Sequence, residues 1–328
     1  ESSSESRETR RGLHASARMQ WRNDQGASLM LMPLLIANEG RTRADGTIGQ
    51  TLGADPPDYV ASRSVTDGRF TLARLNTTLS HRAGGGLRLE WRAGFADGRW
   101  RSTQQRLEFD AADALVRTID ERTDNRDRNA TLSLKGSALL GDGHNIVGGL
   151  ELERNRRNET RSTLWDGVPQ LTEFGDNLGA MSRRWALYAQ DEWAINPRWA
   201  VHAGARVEGI ATEGEGEGGA VDTNRSRVAT PLLHAVWKPD PQSRDQLRAS
   251  LTRSWRAPNL SQLIGRPSLN RTDPPPGTNT ELTADNAGNP ALKPEVALGL
   301  DLAVERYLAD GGVLSANLFH RRIADLIR

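Results

Sequence analysis

The chain has 328 residues, of which 36% are hydrophobic, and a mean hydropathy of −0.62, which is low for a packed enzyme of this length. Its 43 Lys and Arg balance 42 Asp and Glu, so it has no bulk basic field suited to nucleic acid. It contains no cysteine, which excludes disulfides, thiolate nucleophiles and Cys-ligated zinc.

Apolar residues alternate with polar ones along the whole chain, and no apolar run of about 18 residues could form a transmembrane helix. Alternation with a period of two indicates strands with two different faces. The runs are about 10–15 residues long, whereas ordinary soluble strands have about 5–6 residues. The clearest runs are 87–95, 130–140, 199–208, 246–256 and 298–305.

Two kinds of connection separate these runs. Short Gly-, Asn- and Asp-rich turns follow residues 22, 82, 140, 195, 238 and 308, and they have the composition of tight hairpin turns. Longer polar stretches at about 38–67, 103–117, 161–182, 211–226 and 257–293 are predicted to be loops. The pattern predicts about twelve strands in six hairpins, at about 11–38, 68–102, 118–160, 183–210, 227–256 and 294–328.

Aromatic residues recur beside the short turns. We expect them to form one interfacial girdle, and we expect Trp100 and Trp255 to belong to the opposite one. Short turns on one side and long loops on the other are typical of bacterial outer-membrane barrels. The sequence therefore predicts an all-β fold, an antiparallel transmembrane β-barrel of the outer-membrane type. The residues assigned to the first girdle are Trp21, Trp193, Trp199, Trp237 and Tyr307.

No motif in the sequence indicates catalysis. The six His residues are scattered over different hairpins, and no HExxH pair, phosphate loop or GxSxG elbow occurs. We therefore predict no enzyme activity, no catalytic residue, no cofactor and no metal site. Three of the basic residues are Lys and the others are Arg, which fits either a GC-rich genome or a guanidinium-lined lumen that attracts anions.

Three segments in the second half of the chain stand out, and each combines aromatic, charged and proline residues at a strand end. Ala257-Pro258 is predicted to end a strand, because proline lacks the ladder N–H. Pro290 and Pro294 favour an extended approach to the next strand, whose Glu295 could pair with an Arg. The segments contain Tyr188, Gln190, Asp191, Glu192 and Trp193; Arg256, Ala257 and Pro258; and Asn289, Pro290, Leu292, Lys293, Pro294 and Glu295.

In these motifs and their order, residues 181–328 resemble TonB-dependent receptors of the ferric siderophore type. The resemblance implies a barrel of about 22 strands and an N-terminal plug domain inside it. It also implies energy-coupled import of a metal chelate, with a ferric siderophore as the first candidate and a periplasmic TonB partner acting on the plug. We expect a monomer in the bacterial outer membrane.

The chain departs from the family pattern in extent. No plug sequence precedes the first hairpin and only about twelve strands are predicted, so we expect 1–328 to be part of the barrel domain of such a receptor. The ligand class stays open among siderophores, cobalamin, haem and saccharides. Residues at the root of the longest loop, Arg256, Gln262 and Arg266, are the candidate ligand contacts.

Two other classes of protein remain open at this stage. A self-contained twelve-strand outer-membrane barrel, acting as a porin or a lipase, would pair its first strand with its last. A β-rich adhesin would form monomers that need no detergent. Pairing of the first strand with the last in a structure would favour the self-contained barrel. Conductance without energy coupling, or hydrolysis that depends on one Ser and one His, would separate the porin from the lipase.

Overall fold

A computed structural model describes residues 2–50, 57, 59–170, 172, 176–215, 221–264 and 287–327, and the strands of these segments form one antiparallel sheet. One short α-helix, α1 (Leu260–Leu263), follows the tenth long strand. The strands are β1 (Ser2–Ser16), β2 (Met19–Arg22), β3 (Ser28–Ile48), β4 (Ala61–Arg82), β5 (Arg88–Phe109), β6 (Leu115–Leu140), β7 (His144–Trp165), β8 (Val168–Pro169), β9 (Asn177–Asn196), β10 (Trp199–Glu215), β11 (Val221–Trp237), β12 (Gln246–Arg256), β13 (Glu295–Tyr307) and β14 (Val313–Ala324).

The sheet is a meander in which each long strand pairs with the next one in the chain. Its order is β1-β3-β4-β5-β6-β7-β9-β10-β11-β12-β13-β14. The short strand β2 continues β1 along β3, and β8 pairs with the end of β7. Twelve strands therefore follow one another across the sheet, which confirms the predicted antiparallel barrel-type fold and the approximate strand count.

All six predicted short turns join neighbouring strands. In the first of them, Gly26 has a φ of 80°, and in the last, Gly311 has a φ of 86°. This left-handed conformation is strained for residues with a Cβ, which explains the glycines that marked these turns. The turns all lie at one end of the sheet, because the meander alternates its direction at every strand.

At the opposite end, the strands are longer than predicted. Strand β6 has 26 residues, or roughly 85 Å at about 3.3 Å per residue, whereas about 9–11 residues cross a bilayer. Much of 38–67, 103–117, 161–182 and 211–226 is therefore strand rather than loop. The prediction failed there because both faces of these extensions are polar, so the alternation of apolar and polar residues disappears. In 257–293, α1 is the one regular element among the described residues.

The register of the sheet separates two faces, which we call the outer and the inner face. On the outer face, Trp91 lies opposite Leu134 and Phe95 opposite Ala130, and Leu132 lies opposite Leu152 on the next strand. These apolar side chains are substantially exposed, as Phe95 is at 52%. The neighbouring inner positions are polar, so the sheet has the alternation that a lipid-facing wall with a wet interior requires.

Four of the five predicted girdle aromatics lie on the outer face beside the short turns. Trp199 and Trp237 are directly opposite each other with ring centroids 6.1 Å apart, and Trp193 stacks on His144 at 4.9 Å. Trp91, which the sequence analysis did not assign, joins them on this face. Tyr307 differs, because it lies on the inner face with its hydroxyl 3.5 Å from Glu305.

The two tryptophans assigned to an opposite girdle do not face outward. Trp100 occupies the position opposite Phe70 and Asn125, on the inner face, because the register of β5 continues without a bulge from Trp91. The indole N–H of Trp255 donates to the inner-face carboxylate of Glu208. The prediction used only the distance from the turns. For Trp100 the register determines the face, whereas for Trp255 the contact with Glu208 shows that the indole reaches the inner face.

Among the described residues, β1 and β14 each pair with one strand, and they do not pair with each other. The closure expected of a self-contained twelve-strand barrel is therefore not observed in this part of the chain. No helix in the described segments is long and apolar enough to span a membrane.

Candidate ligand-binding site on the inner face

The segment after β12 folds back over the inner face. The strand ends at Arg256, before Pro258, and Asn259 then caps α1. The Asn259 side chain accepts from the backbone N–H of Gln262 at 2.8 Å, and the Gln262 side chain accepts from the N–H of Asn259 at 2.9 Å. This reciprocal capping box holds a helix of a single turn that would be marginal on its own.

The end of α1 is fixed against β10. Leu263 and Ile264 are 2% and 9% exposed, and they are among the few buried apolar residues in the described part of the chain. A Cβ on Gly214 would lie 2.3 Å from Ile264, so this close approach requires glycine on the strand. The α1 segment is thus packed onto the wall of the sheet.

The other root of the same connection meets α1. The backbone N–H of Asn289 donates to the carbonyl of Gln262 at 2.7 Å. The side-chain amide of Asn224, on β11, donates to the carbonyls of Pro290 and Leu292 at 2.7 and 3.0 Å. Two of the three motifs singled out in the sequence are therefore joined to each other and anchored to the inner face.

A cavity of about 640 Å³ lies between the α1 segment and the inner face of the sheet. Its wall combines aromatic, aliphatic and basic side chains, which suits an anionic ligand with a flat apolar part. Arg157 is held by Asp127 in a bidentate ion pair, at 2.8 and 2.9 Å. The residues that line the cavity include Phe70, Leu72, Arg74, Trp100, Asn129, Arg157, Pro258 and Leu260.

Beside this cavity, the inner face carries a compact ion-pair network. Its centre is Glu208, which is 3% exposed and accepts from Arg184 at 2.8 Å, from Arg206 at 3.2 Å and from the Trp255 indole. Arg206 also donates to Glu151 at 2.6 Å. We call these residues the Glu208 network; its side chains fix β7, β9, β10 and β12 relative to one another.

The first motif, 188–193, divides between the two faces. Tyr188 lies on the inner face, with the Arg206 guanidinium 5.7 Å from its ring centroid. Gln190 lies opposite Gly204, whose added Cβ would be 2.8 Å from the Gln190 Cβ. Glu192 faces inward and accepts from Asn145 at 3.2 Å. Alternate residues of the motif therefore lie on the inner and the outer face of the same strand.

On the outer face of the same strand, Asp191 and Trp193 contact His144. The Asp191 carboxylate lies 2.7 Å from His144 Nδ1, and Trp193 stacks on the ring. No sequence pattern connects His144 with this motif, because 47 residues separate it from Asp191. Pairing of β7 with β9 produces the contact.

The predicted pairing of Glu295 is confirmed. Its carboxylate lies 3.8 Å from Arg256, the residue directly opposite on β12, and it also accepts from the N–H of Ile327 at 2.6 Å. Of the candidate ligand contacts, Gln262 uses its side chain in the capping box and Arg256 is largely exposed. Arg266 lies outside the described residues. Ligand contact by these three stays a prediction.

In the polar extensions of the strands, a second buried cluster links neighbouring strands. Glu108 is 1% exposed and pairs with Arg106 at 2.9 Å and with Arg117 at 2.5 Å. Arg106 donates to the Tyr59 hydroxyl at 2.7 Å, and burial raises the pKa of this hydroxyl above its ordinary value. Arg117 lies 4.7 Å above the ring of Trp165. This cluster connects β5 and β6 to the segment before β4 and to the end of β7.

Comparison with known proteins agrees with this geometry. Residues 7–328 match the family model described as TonB dependent receptor-like, beta-barrel. The ferric-catecholate import receptor Fiu from Escherichia coli K12 superposes with a TM-score of 0.52 at 11% identity, over 98% of this chain and 57% of that one. The pyoverdine outer membrane receptor FpvA from Pseudomonas aeruginosa PAO1 gives 0.52 at 12% identity, over 95% and 50%. No curated protein matches the chain.

A meander of long strands with an apolar outer face, short turns at one end and a polar inner face defines an outer-membrane-type barrel wall. Because the family model covers nearly the whole chain, the chain belongs to the TonB-dependent receptor β-barrel family. It spans about half the length of the solved receptors it matches, 57% of one and 50% of the other.

Proposed function

We propose that the chain forms part of the wall of a receptor that imports a ferric siderophore, or a similar metal chelate, across the bacterial outer membrane. The observation that carries the proposal is its membership of the TonB-dependent receptor family over residues 7–328. The members of this family are outer-membrane β-barrels with a transport role. The finer statements, that the ligand is a chelate and that import is energised by a periplasmic partner, belong to the proposal.

The inner-face cavity supports an anionic ligand. Its wall carries Arg74 and Arg157 together with the aromatic rings of Phe70 and Trp100. Guanidinium groups bind the carboxylate, hydroxamate and catecholate oxygens of metal chelates, and aromatic faces stack on flat ligand groups. The α1 segment forms one side of the cavity, so we propose that Arg256 and Gln262 lie close to the path of the ligand. A ligand contact by Arg266 stays a prediction from the sequence.

An uptake measurement tests the proposal. Cells that express the full-length receptor are grown in iron-limited medium and supplied with radiolabelled ferric catecholate, hydroxamate and carboxylate chelates in turn. We expect uptake of one class to be lost when the receptor or the energy-transducing partner is deleted. Uptake that continues without the partner would contradict the proposal and favour a porin, and ester hydrolysis by the purified protein would favour a lipase.

One substitution locates the ligand on the inner face. Arg74 has no ion-pair partner among the described residues and projects into the cavity region, so Arg74→Gln is expected to raise the half-saturating chelate concentration several-fold. Arg88→Gln, at the short-turn end of β5, is the matched control and should leave uptake unchanged. Equal kinetics in the two variants would place the ligand elsewhere.

A further inference from the structure

The outer face changes from apolar to basic along β3, β4 and β5. On β5, Arg101 lies ten positions along the strand from Trp91, which is beside a short turn. At about 3.3 Å per residue and a tilt of about 40°, this distance corresponds to about 25 Å, the height of the apolar band of an outer-membrane barrel. The arginines therefore begin at the membrane edge that is remote from the short turns. The same change runs from Leu79 to Arg69 on β4 and from Leu29 to Arg41 on β3.

Several of these arginines face one another directly. Arg7 lies opposite Arg43, and Arg69 lies opposite Arg101, on the same face of adjacent strands. Like charges in directly opposite positions destabilise a sheet. The arrangement continues farther along the outer face, where Arg128 is opposite Arg156 and Arg154 is opposite Arg183. A sheet that repeats this pairing gains from an anion that lies between the guanidinium groups.

The first four long strands and β6 enclose a groove of about 860 Å³ at this level. Seven arginines and three carboxylates line it, so its charge is strongly positive. Arg41 lies 3.4 Å from Asp67 and Arg101 lies 3.4 Å from Asp124. We call this surface the outer arginine groove. Six of its arginines are Arg7, Arg41, Arg43, Arg69, Arg101 and Arg122.

Four members of the groove keep their full positive charge available. Within the segments that the structure describes, Arg7, Arg43, Arg69 and Arg122 have no ion-pair or side-chain hydrogen-bond partner, and all four are exposed. By contrast, Arg99, on the same face, is held by Asp124. Arg7 and Arg43, which lie opposite each other, are therefore both unpaired among the described residues, and so is Arg69, which lies opposite Arg101.

The geometry points to a binding site for the phosphate groups of a phosphorylated glycolipid in the outer leaflet of the membrane. Guanidinium groups bind phosphate in a bidentate manner, and a phosphate between Arg7 and Arg43 or between Arg69 and Arg101 relieves the repulsion across the strands. The acyl chains of the same molecule lie on the apolar outer face below, at Leu35 and Leu75. A free anion would use only the upper half of this surface.

This inference rests on the membrane placement proposed above but not on the imported ligand. A receptor that fails to bind its chelate can still bind the glycolipid, and the reverse is also possible. Failure of the glycolipid site and failure of the import proposal are therefore distinguished by two separate measurements, lipid retention and iron uptake.

The test compares the full-length receptor, purified in detergent and stripped of lipid, with two double variants. Arg43→Gln with Arg69→Gln removes one member of each opposing pair in the groove. Arg22→Gln with Arg198→Gln removes the same charge beside the short turns, and it is the matched control. Native mass spectrometry measures the retention of bisphosphorylated lipid A, monophosphorylated lipid A and inorganic phosphate by each protein.

We expect the parent and the control to retain bisphosphorylated lipid A about ten times more strongly than the groove variant, with monophosphorylated lipid A in between. Equal retention by all three proteins would overturn the proposal, and so would retention of inorganic phosphate without the lipid. A thermal measurement guards against misfolding. Without lipid, the groove variant should unfold no lower than the parent, because repulsion is relieved; with bisphosphorylated lipid A, the parent should unfold higher. A groove variant that is less stable in lipid-free detergent would contradict the argument.

Discussion

Replacement of Leu132 by Arg is expected to destabilise the membrane-inserted protein by about 2–4 kcal/mol, the cost of an arginine at the lipid-facing midplane of a barrel. Leu132 lies on the outer face between Ala93 and Leu152, in the middle of the apolar band, and 45% of its surface is exposed. A leucine this exposed would be unusual in water, but the wall of a barrel exposes such side chains to the hydrocarbon of the membrane. Chemical unfolding of the receptor in phospholipid vesicles measures the effect.

The neighbouring residue supplies the control. Thr131 lies on the inner face opposite Gly94 and Glu153, so an arginine there has both space and a carboxylate nearby. We expect Thr131→Arg to change the free energy of unfolding by less than about 1 kcal/mol. Similar costs for the two substitutions would mean that the two faces are not a lipid face and a lumen face.

The second large effect is expected at the Glu208 network. Glu208→Ala leaves the guanidinium groups of Arg184 and Arg206 without their central acceptor and the Trp255 indole N–H without a partner. Loss of one partner from a buried ion pair costs about 3–5 kcal/mol, because an uncompensated charge stays behind. We expect the upper part of this range to be reached only if the inner face is dry in the intact receptor. Thermal unfolding in detergent, followed by gel mobility, measures the loss.

An exposed pair gives the comparison for this prediction. Glu8 lies 2.7 Å from Arg10, but both side chains are about half exposed or more, at 46% and 66%. Glu8→Ala should therefore cost at most about 1 kcal/mol. Glu208→Gln, which keeps the hydrogen bonds but not the charge, should fall between the two. If Glu208→Ala lowered the free energy of unfolding no more than Glu8→Ala, the Glu208 network would not stabilise the fold.

The sequence was sufficient for the features that depend on local chemistry. Glycine- and Asn/Asp-rich turns, alternation with a period of two and Trp residues beside the turns each have a local physical cause, and all are present in the structure. Pro258 ended its strand as expected, and Glu295 found Arg256 because the two strands that carry the motifs are neighbours.

Other features depend on which residues of neighbouring strands lie opposite each other, and this register cannot be derived from a single sequence. The strand extensions were predicted as loops because polar residues occupy both faces there. Trp100 and Trp255 were assigned to the wrong face, and the outer arginine groove was read only as a general excess of arginine. Arg7 and Arg43 are 36 residues apart in the chain, and only the pairing of β1 with β3 shows that they oppose each other.

We propose that this sheet is a membrane wall with its short turns toward the periplasm. These 328 residues contain no cysteine, so within this part of the receptor an introduced cysteine is the one thiol that a membrane-impermeant maleimide can label on cells. We expect Ala112→Cys, in the turn between β5 and β6, to be labelled on intact cells. Gln242→Cys, in the turn between β11 and β12, should be labelled only after the outer membrane is permeabilised. Labelling of Gln242→Cys on intact cells, with Ala112→Cys protected, would contradict the orientation, and labelling of both would contradict the membrane wall itself.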